Sequence, residues 1–182
     1  MTDTQINLLT ERLIKRPQRN NGVESSSEKV KYDKIFCLHF FKQPIPDLEL
    51  IKRLLSEAIN NKNEFELDLL LMLVEHFNIT EQYDLEIAPL LTQSWHHLHD
   101  RIARILEYDH NEQTAEYLFK GSTYRCENLD YESNYCEFNR KCLYALLKIG
   151  TPKSLSYIKE IANCKNQIIA NYAKAIINTY SF

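Results

Sequence analysis

Two stretches of this chain carry the same pattern forty positions apart. Residues 100–118 read DRIARILEYDHNEQTAEYL, and residues 140–158 read RKCLYALLKIGTPKSLSYI. At this offset apolar residues coincide in both stretches, as the pairs Ile102 and Cys142, Ile105 and Ala145, Leu106 and Leu146, Ala115 and Leu155, and Leu118 and Ile158. Each stretch predicts one amphipathic helix, a tight turn and the start of a second helix.

Self-similarity of helix pairs at roughly 40 residues is typical of HEAT and armadillo repeats. Such pairs bury their apolar faces only against neighbouring pairs, so they stack into a solenoid. We therefore expect an all-α fold, with a HEAT-like α-solenoid of antiparallel helix pairs over residues 47–182. Residues 1–46 are expected to form an N-terminal arm and a capping helical segment. The fold alone does not choose a function.

Composition excludes several other classes of protein. The chain has three glycines in 182 residues and contains neither GxGxxG nor GxxxxGK, which argues against a nucleotide-binding enzyme. Its five cysteines are odd in number and never spaced as CxxC, which favours reduced thiols over disulfides or a zinc site. No signal peptide or membrane-spanning run is evident. We expect a cytoplasmic protein without a cofactor or metal.

Charge is divided unevenly along the chain. Residues 81–137 hold twelve acids and four bases, whereas residues 138–182 hold one acid and seven bases. Such separated fields steer charged partners towards a protein surface. The acidic segment therefore predicts a surface that binds a basic partner.

The expected elements of this region follow from caps and periodicity. We predict helices over residues 84–93 and 95–108, and a loop-like insertion over residues 121–137. Gly150 and Thr151-Pro152 mark the end of one helix and the start of the next, since glycine favours the left-handed C-terminal position and proline the first helical one.

A histidine-rich segment is the first candidate site. The segment just after Ser94 contains His96, His97, His99 and Asp100. A helix would place His96, His99 and Asp100 on one face. This face predicts contact with a partner. Two imidazoles and a carboxylate also resemble the ligands of HD phosphohydrolases, although such a site needs His76 and a further aspartate at non-diagnostic spacing.

The insertion supplies the second candidate site. Acids and tyrosines alternate there, and tyrosine is common in the energetic centre of protein interfaces. With Asp109 added, the predicted partner-binding residues of this region are Asp109, Glu127, Asp130, Tyr131, Glu132 and Tyr135. The acids would repel nucleic acid, and the lysines of the C-terminal segment form no groove pattern, so nucleic-acid binding is not expected.

These motifs resemble those of small bacterial HEAT-repeat proteins. The resemblance covers about residues 65–180 and is carried by WHxxHD at 95–100, AEYL at 115–118 and KCxxALxxIGTP at 141–152. Many such proteins are immunity proteins of polymorphic toxins. Arg101 stands where an acid often follows in that family, which leaves the role of Asp100 open.

The leading hypothesis is a non-catalytic immunity protein that binds a cognate toxin with a basic surface. A metal-dependent HD-like phosphohydrolase and a general HEAT-repeat scaffold are the alternatives.

Overall fold

The fold is helical throughout the part of the chain that is described. A computed structural model describes residues 1–14, 26–124 and 132–182, with the backbone alone described at 26–28 and 132–136. Every regular element in these ranges is a helix, which confirms the all-α prediction. No helix among them is both long and apolar enough to cross a bilayer. The chain divides into an N-terminal unit, Met1–Ile79, and a C-terminal unit, Thr80–Phe182.

The described residues of the N-terminal unit form four α-helices, and local caps fix the starts of the first, third and fourth. The Asp47 side chain accepts a hydrogen bond from the Leu50 N–H, and Asn63 accepts one from the Glu66 N–H. Thr2 and Gln5 form a reciprocal capping box at the first helix. The elements are α1 (Asp3–Leu9), which continues as a π-helical turn (Thr10–Ile14), α2 (Ser26–Phe40), α3 (Leu48–Asn60) and α4 (Glu64–His76).

Residues 1–46 are grouped with α3 and α4 rather than set apart from them. Within this unit α1 packs against α4, and Leu9 is fully buried. Phe36 of α2 stacks on Phe77 just beyond α4, with ring centroids 6.1 Å apart. The compact unit extends to Ile79, because the N-terminal helices bury their apolar side chains with those of α4.

In the C-terminal unit, residues 80–124 and 132–182 form six α-helices and three short 3₁₀ segments. The predicted helix restart is confirmed, since Gly150 has a φ of +66° and the Thr151 side chain accepts a hydrogen bond from the Ser154 N–H. The α-helices are α5 (Asp84–Ile87), α6 (His99–Asp109), α7 (Ala115–Thr123), α8 (Glu132–Ile149), α9 (Pro152–Ile161) and α10 (Gln167–Tyr180). The 3₁₀ segments are Thr80–Gln82, Ala88–Thr92 and Glu112–Thr114.

The predicted helices over residues 84–93 and 95–108 were wrong in extent. The first is split, because α5 ends at Ile87 and the chain continues as a 3₁₀ segment with Pro89 near its start. The second begins only at His99, after Leu98. The His96 side chain accepts a hydrogen bond from the Leu98 N–H at 3.1 Å, which holds residues 96–98 in a turn instead of a helix.

The insertion is also shorter than the predicted 121–137. Gly121 and Ser122 belong to the last turn of α7, and α8 begins at Glu132. Asn139 lies buried against the end of α7, where its Nδ2 donates to the carbonyl oxygens of Gly121 at 3.0 Å and Ser122 at 2.8 Å. A side chain from α8 thereby adds hydrogen bonds to carbonyls in the last turn of α7, where a helix runs out of its own N–H donors.

Helices α6 and α8 lie side by side and run in the same direction. Asp100 of α6 pairs with Lys141 of α8, and seven residues further along both helices Glu107 pairs with Lys148. The order of buried, half-buried and exposed positions is also the same in residues 101–110 as in residues 141–150. The two repeated stretches thus occupy equivalent environments. Phe119 of α7 stacks on Tyr157 of α9, with centroids 4.5 Å apart.

Candidate partner-binding surface

Two of the predicted contact histidines lie inside the C-terminal unit. His96 and His99 each have 0% of their surface exposed, and their rings stack with centroids 4.5 Å apart. The Nε2 of His96 is 3.1 Å from the Leu90 carbonyl oxygen, and the Nε2 of His99 is 2.8 Å from that of Gln93. Both nitrogens act as donors, since a carbonyl oxygen only accepts. The two histidines therefore stabilise the turn that leads into α6. Of the three histidines in this segment, only His97 is exposed.

Asp100 is half-buried and engaged by a cation. Its Oδ1 lies 2.6 Å from the Nζ of Lys141, which also contacts Glu137 at 3.2 Å. Burial by itself lowers the pKa of Lys141, but the hydrogen bonds to both carboxylates outweigh it, so this pKa lies above its usual value. Asp100 is thus part of the contact between α6 and α8.

Asp109 belongs to a buried carboxyl pair with Asp84. The Thr80 hydroxyl donates to the Asp109 Oδ1 at 2.9 Å. Asp84 is 1% exposed, and burial, together with the neighbouring Asp109, raises its pKa to about 7. Two carboxylates in one dry site cannot both ionise cheaply, so the pair favours holding one proton. The carboxyl group of Asp109 therefore contacts Thr80 and Asp84 of its own unit.

The remaining predicted contacts lie where the side chains are not described. Glu127, Asp130 and Tyr131 fall outside the described residues, and for Glu132 and Tyr135 the backbone alone is described, in the first turns of α8. Their proposed contact with a partner stays a prediction.

The residues needed for the phosphohydrolase alternative do not form a metal site in the described parts of the chain, where no group of three or more potential His, Cys, Asp and Glu ligands occurs. His76 contacts Asp33 instead, with 2.7 Å between Nε2 and Oδ1, and Arg12 holds the same carboxylate at 2.7 Å. Burial acts to raise the pKa of Asp33, but the hydrogen bonds from His76 and Arg12 lower it on balance. This triad ties α2 to α4 within the N-terminal unit.

The buried cysteines are suited to packing. Burial raises the pKa of the Cys37 thiol to about 11 and shifts that of Cys142 further in the same direction. A thiol that stays protonated is a poor nucleophile. The Sγ of Cys142 would be 3.2 Å from a Cβ placed on Gly121, so the thiol fills the space where α7 and α8 meet.

A different set of side chains shares one exposed surface of the C-terminal unit. The Lys148 Nζ lies 5.2 Å from the Tyr108 ring centroid, and the Arg140 guanidinium lies 5.9 Å from that of Tyr172. These contacts join α6 to α8 and α8 to α10. We call this surface the α6–α8–α10 face; its exposed members are Arg104, Tyr108, Arg140, Tyr144, Lys148 and Tyr172.

Sequence comparison within the chain could have indicated this face. At the forty-residue offset Arg104 aligns with Tyr144 and Tyr108 aligns with Lys148, between the apolar matches that define the repeat. These positions are exposed in both copies because each lies on the side of its helix opposite the buried residues. The apolar matches alone do not identify these exposed positions.

Comparison of the chain with known protein families, curated proteins and solved structures finds no match.

Proposed function

We propose that this chain is a non-catalytic protein-binding module, and that it acts as an immunity protein by covering a cognate bacterial toxin. The observation that carries the proposal is the α6–α8–α10 face, where arginine and tyrosine side chains from three helices lie on one surface. Tyrosine and arginine are enriched among the residues that dominate binding energy.

The helical arrangement favours a binding role for this face. The parallel course of α6 and α8, with equivalent burial in the two repeated stretches, is what a HEAT-like solenoid requires of successive repeats. In such a stack the exposed positions of equivalent helices form rows, so a partner meets several helices at once. We therefore propose that the repeated part of the chain is arranged as a HEAT-like solenoid.

The exposed tyrosines are the proposed anchors of the complex. Tyr144 is 39% exposed and Tyr172 is 37% exposed, so each ring packs partly on its own unit while one side stays available. A ring held in this way loses little conformational entropy on binding. Truncation of a central anchor typically costs about 2 kcal/mol or more, which is roughly a thirtyfold loss of affinity.

Co-expression with the product of the adjacent reading frame tests the proposal. We expect the two proteins to co-elute in size-exclusion chromatography, and we expect the chain to restore growth to cells that express the neighbour. The double variant Tyr144→Ala/Tyr172→Ala should lose both effects. Tyr180→Ala, which removes a ring that is also exposed but lies at the end of α10, is the matched control and should keep them.

Growth rescue separates the immunity role from a general scaffold, which rests on the same geometry and differs only in its partner. A neighbour that is not toxic, or that neither co-elutes nor is neutralised, contradicts the immunity role.

A further inference from the structure

We infer that the α6–α8–α10 face binds an uncharged, proline-rich segment of its partner in the polyproline II conformation. The inference rests on the proposed binding function and names the chemistry that the exposed rings recognise.

The charges along the seam between α6 and α8 are matched within the C-terminal unit. Lys141 contacts both Asp100 and Glu137, and Lys148 contacts Glu107 at 2.9 Å. An acidic segment would be repelled by Asp100 and Glu137, whose side chains are 50% and 48% exposed. A basic segment would be repelled by Lys148, whose side chain is 40% exposed. An uncharged segment meets neither repulsion, so its chemistry suits the face best.

Three exposed rings form a diagonal row across this face. Arg140, Tyr144 and Lys148 lie at successive turns on one side of α8, since four residues make about one helical turn. The Tyr172 ring of α10 lies against the Arg140 guanidinium, and the Tyr108 ring of α6 lies against the Lys148 ammonium. The row therefore runs from Tyr172 through Tyr144 to Tyr108, one helix and about one turn further at each step.

The spacing of this row matches an extended proline-rich chain. Packed helices lie about 8–10 Å apart and four helical residues rise about 6 Å, so each step along the row covers about 10–12 Å. Three or four residues of polyproline II cover about 9–12 Å. A segment with proline at every third or fourth position can therefore place one pyrrolidine ring against each tyrosine, and aromatic side chains are the usual docking surface for such segments.

Hydrogen-bond donors in the same row favour polyproline II over a helical partner. Within the described ranges, the side chains of Tyr144, Tyr172 and Arg140 donate no hydrogen bond to another residue. A polyproline II segment has no internal backbone hydrogen bonds, so its carbonyl oxygens can accept from these donors, whereas the carbonyls of a helix are already bonded. Its conformation is also restricted before binding, which lowers the entropic cost of association.

Fluorescence anisotropy with labelled, end-capped peptides and the full-length chain tests the inference. We expect polyproline of twelve residues, which spans about 37 Å and covers all three rings, to bind the wild-type protein at least about tenfold more tightly than a Gly-Ser peptide of the same length. Polyproline of four residues spans about 12 Å, reaches two rings and should bind more weakly than the longer peptide. Twelve-residue polyglutamate and polylysine should both bind more weakly than polyproline.

Variants of the chain locate the binding site. Tyr144→Ala/Tyr172→Ala should weaken the binding of twelve-residue polyproline at least about tenfold. Tyr180→Ala, which removes an exposed ring outside the row, is the matched control and should bind within about twofold of wild type. Circular dichroism melting checks that both variants are folded, and the comparison of peptides on the wild-type protein decides the inference if the double variant is not.

The outcomes distinguish this inference from the proposed function. Equal binding of the Gly-Ser peptide, tighter binding of polyglutamate or polylysine, or equal weakening in Tyr180→Ala overturns the inference. If a co-purifying neighbour depends on Tyr144 and Tyr172 but polyproline does not bind, the inference falls while the binding function stands. If polyproline binds as expected but no neighbour co-purifies, the immunity role falls while the ligand chemistry of the face stands.

Discussion

The buried carboxyl of Asp84, which lies beside Asp109, predicts a contribution to stability that is lost as the pH rises towards neutrality. Asp84 is 1% exposed, and its pKa is raised from 3.8 to about 7. Besides Asp109, the groups that act on it are Asn111, which favours the charged form, and the exposed Glu81, which disfavours it. The largest cause of the raised pKa is the burial of the carboxylate itself, which disfavours the charged form.

The sign follows from proton binding in the two states. Between about pH 4 and pH 7 the folded protein holds a proton at Asp84 that the unfolded chain has already released. The contribution of Asp84 to the free energy of unfolding therefore falls with rising pH through this window, and its loss is complete above it. A change in pKa from 3.8 to about 7 corresponds to roughly 4 kcal/mol, because each factor of ten in proton affinity is worth 1.36 kcal/mol.

Asp84→Asn tests this reasoning, because asparagine has nearly the same shape and stays neutral. We expect the variant to match the wild type near pH 4 and to exceed its free energy of unfolding by up to about 4 kcal/mol at pH 8. The amide introduced by this substitution has N–H donors that can reach the neighbouring Asp109 carboxylate, as the protonated Asp84 carboxyl can. Urea unfolding followed by circular dichroism at pH 4 to 8 measures the difference.

Glu112→Gln is the matched control, since it removes an exposed acid close to the same pair in sequence and should leave the pH dependence unchanged. The reasoning is refuted if Asp84→Asn shows the same pH dependence as the wild type, or if the variant is less stable at every pH.

Three further predictions concern local contacts. Asn139→Ala removes the buried amide that donates to the carbonyls at the end of α7, and should lower the free energy of unfolding by about 2 kcal/mol, whereas Asn163→Ala, which removes an exposed side chain, should cost well under about 1 kcal/mol. Gly121→Ala places a Cβ 3.2 Å from the Cys142 Sγ and 3.3 Å from the Leu91 Cβ, and we expect this crowding to exceed the roughly 1 kcal/mol that alanine gains over glycine in a helix, so an unchanged or higher melting temperature would contradict the close packing of α7 against α8. Thr151→Ala removes the cap of α9 and should cost about 1 kcal/mol in urea unfolding, a loss that Thr151→Ser should largely avoid.

Local signals in the sequence were sufficient for most helix starts. Thr151 caps the helix that follows it, as predicted, and Asp47 and Asn63 act in the same way, because a cap is a hydrogen bond between residues three apart. The forty-residue offset also identified stretches that the structure places in equivalent environments, since burial on one side of a helix fixes the apolar period.

Predictions that depend on distant residues were less successful. The acids of residues 81–137 were predicted to form one surface, but Asp100 contacts Lys141, forty-one positions away, and Asp109 lies with Asp84, twenty-five positions away. Charge summed along a sequence does not record such pairings. The long helix expected from residue 95 failed for a similar reason, because His96 turns inward to the Leu90 carbonyl.

The sequence by itself determined the helical class, the caps and the repeat, because each depends on side chains within one or two turns of one another. Only the tertiary structure decided which charges lie beside one another. Lys141 and Lys148 approach the acids of α6 only after α8 has packed beside it, and Arg104 comes to share a face with Arg140 by the same packing. Coulomb energy depends on the distance between charges in space, which the order of residues along the chain does not specify.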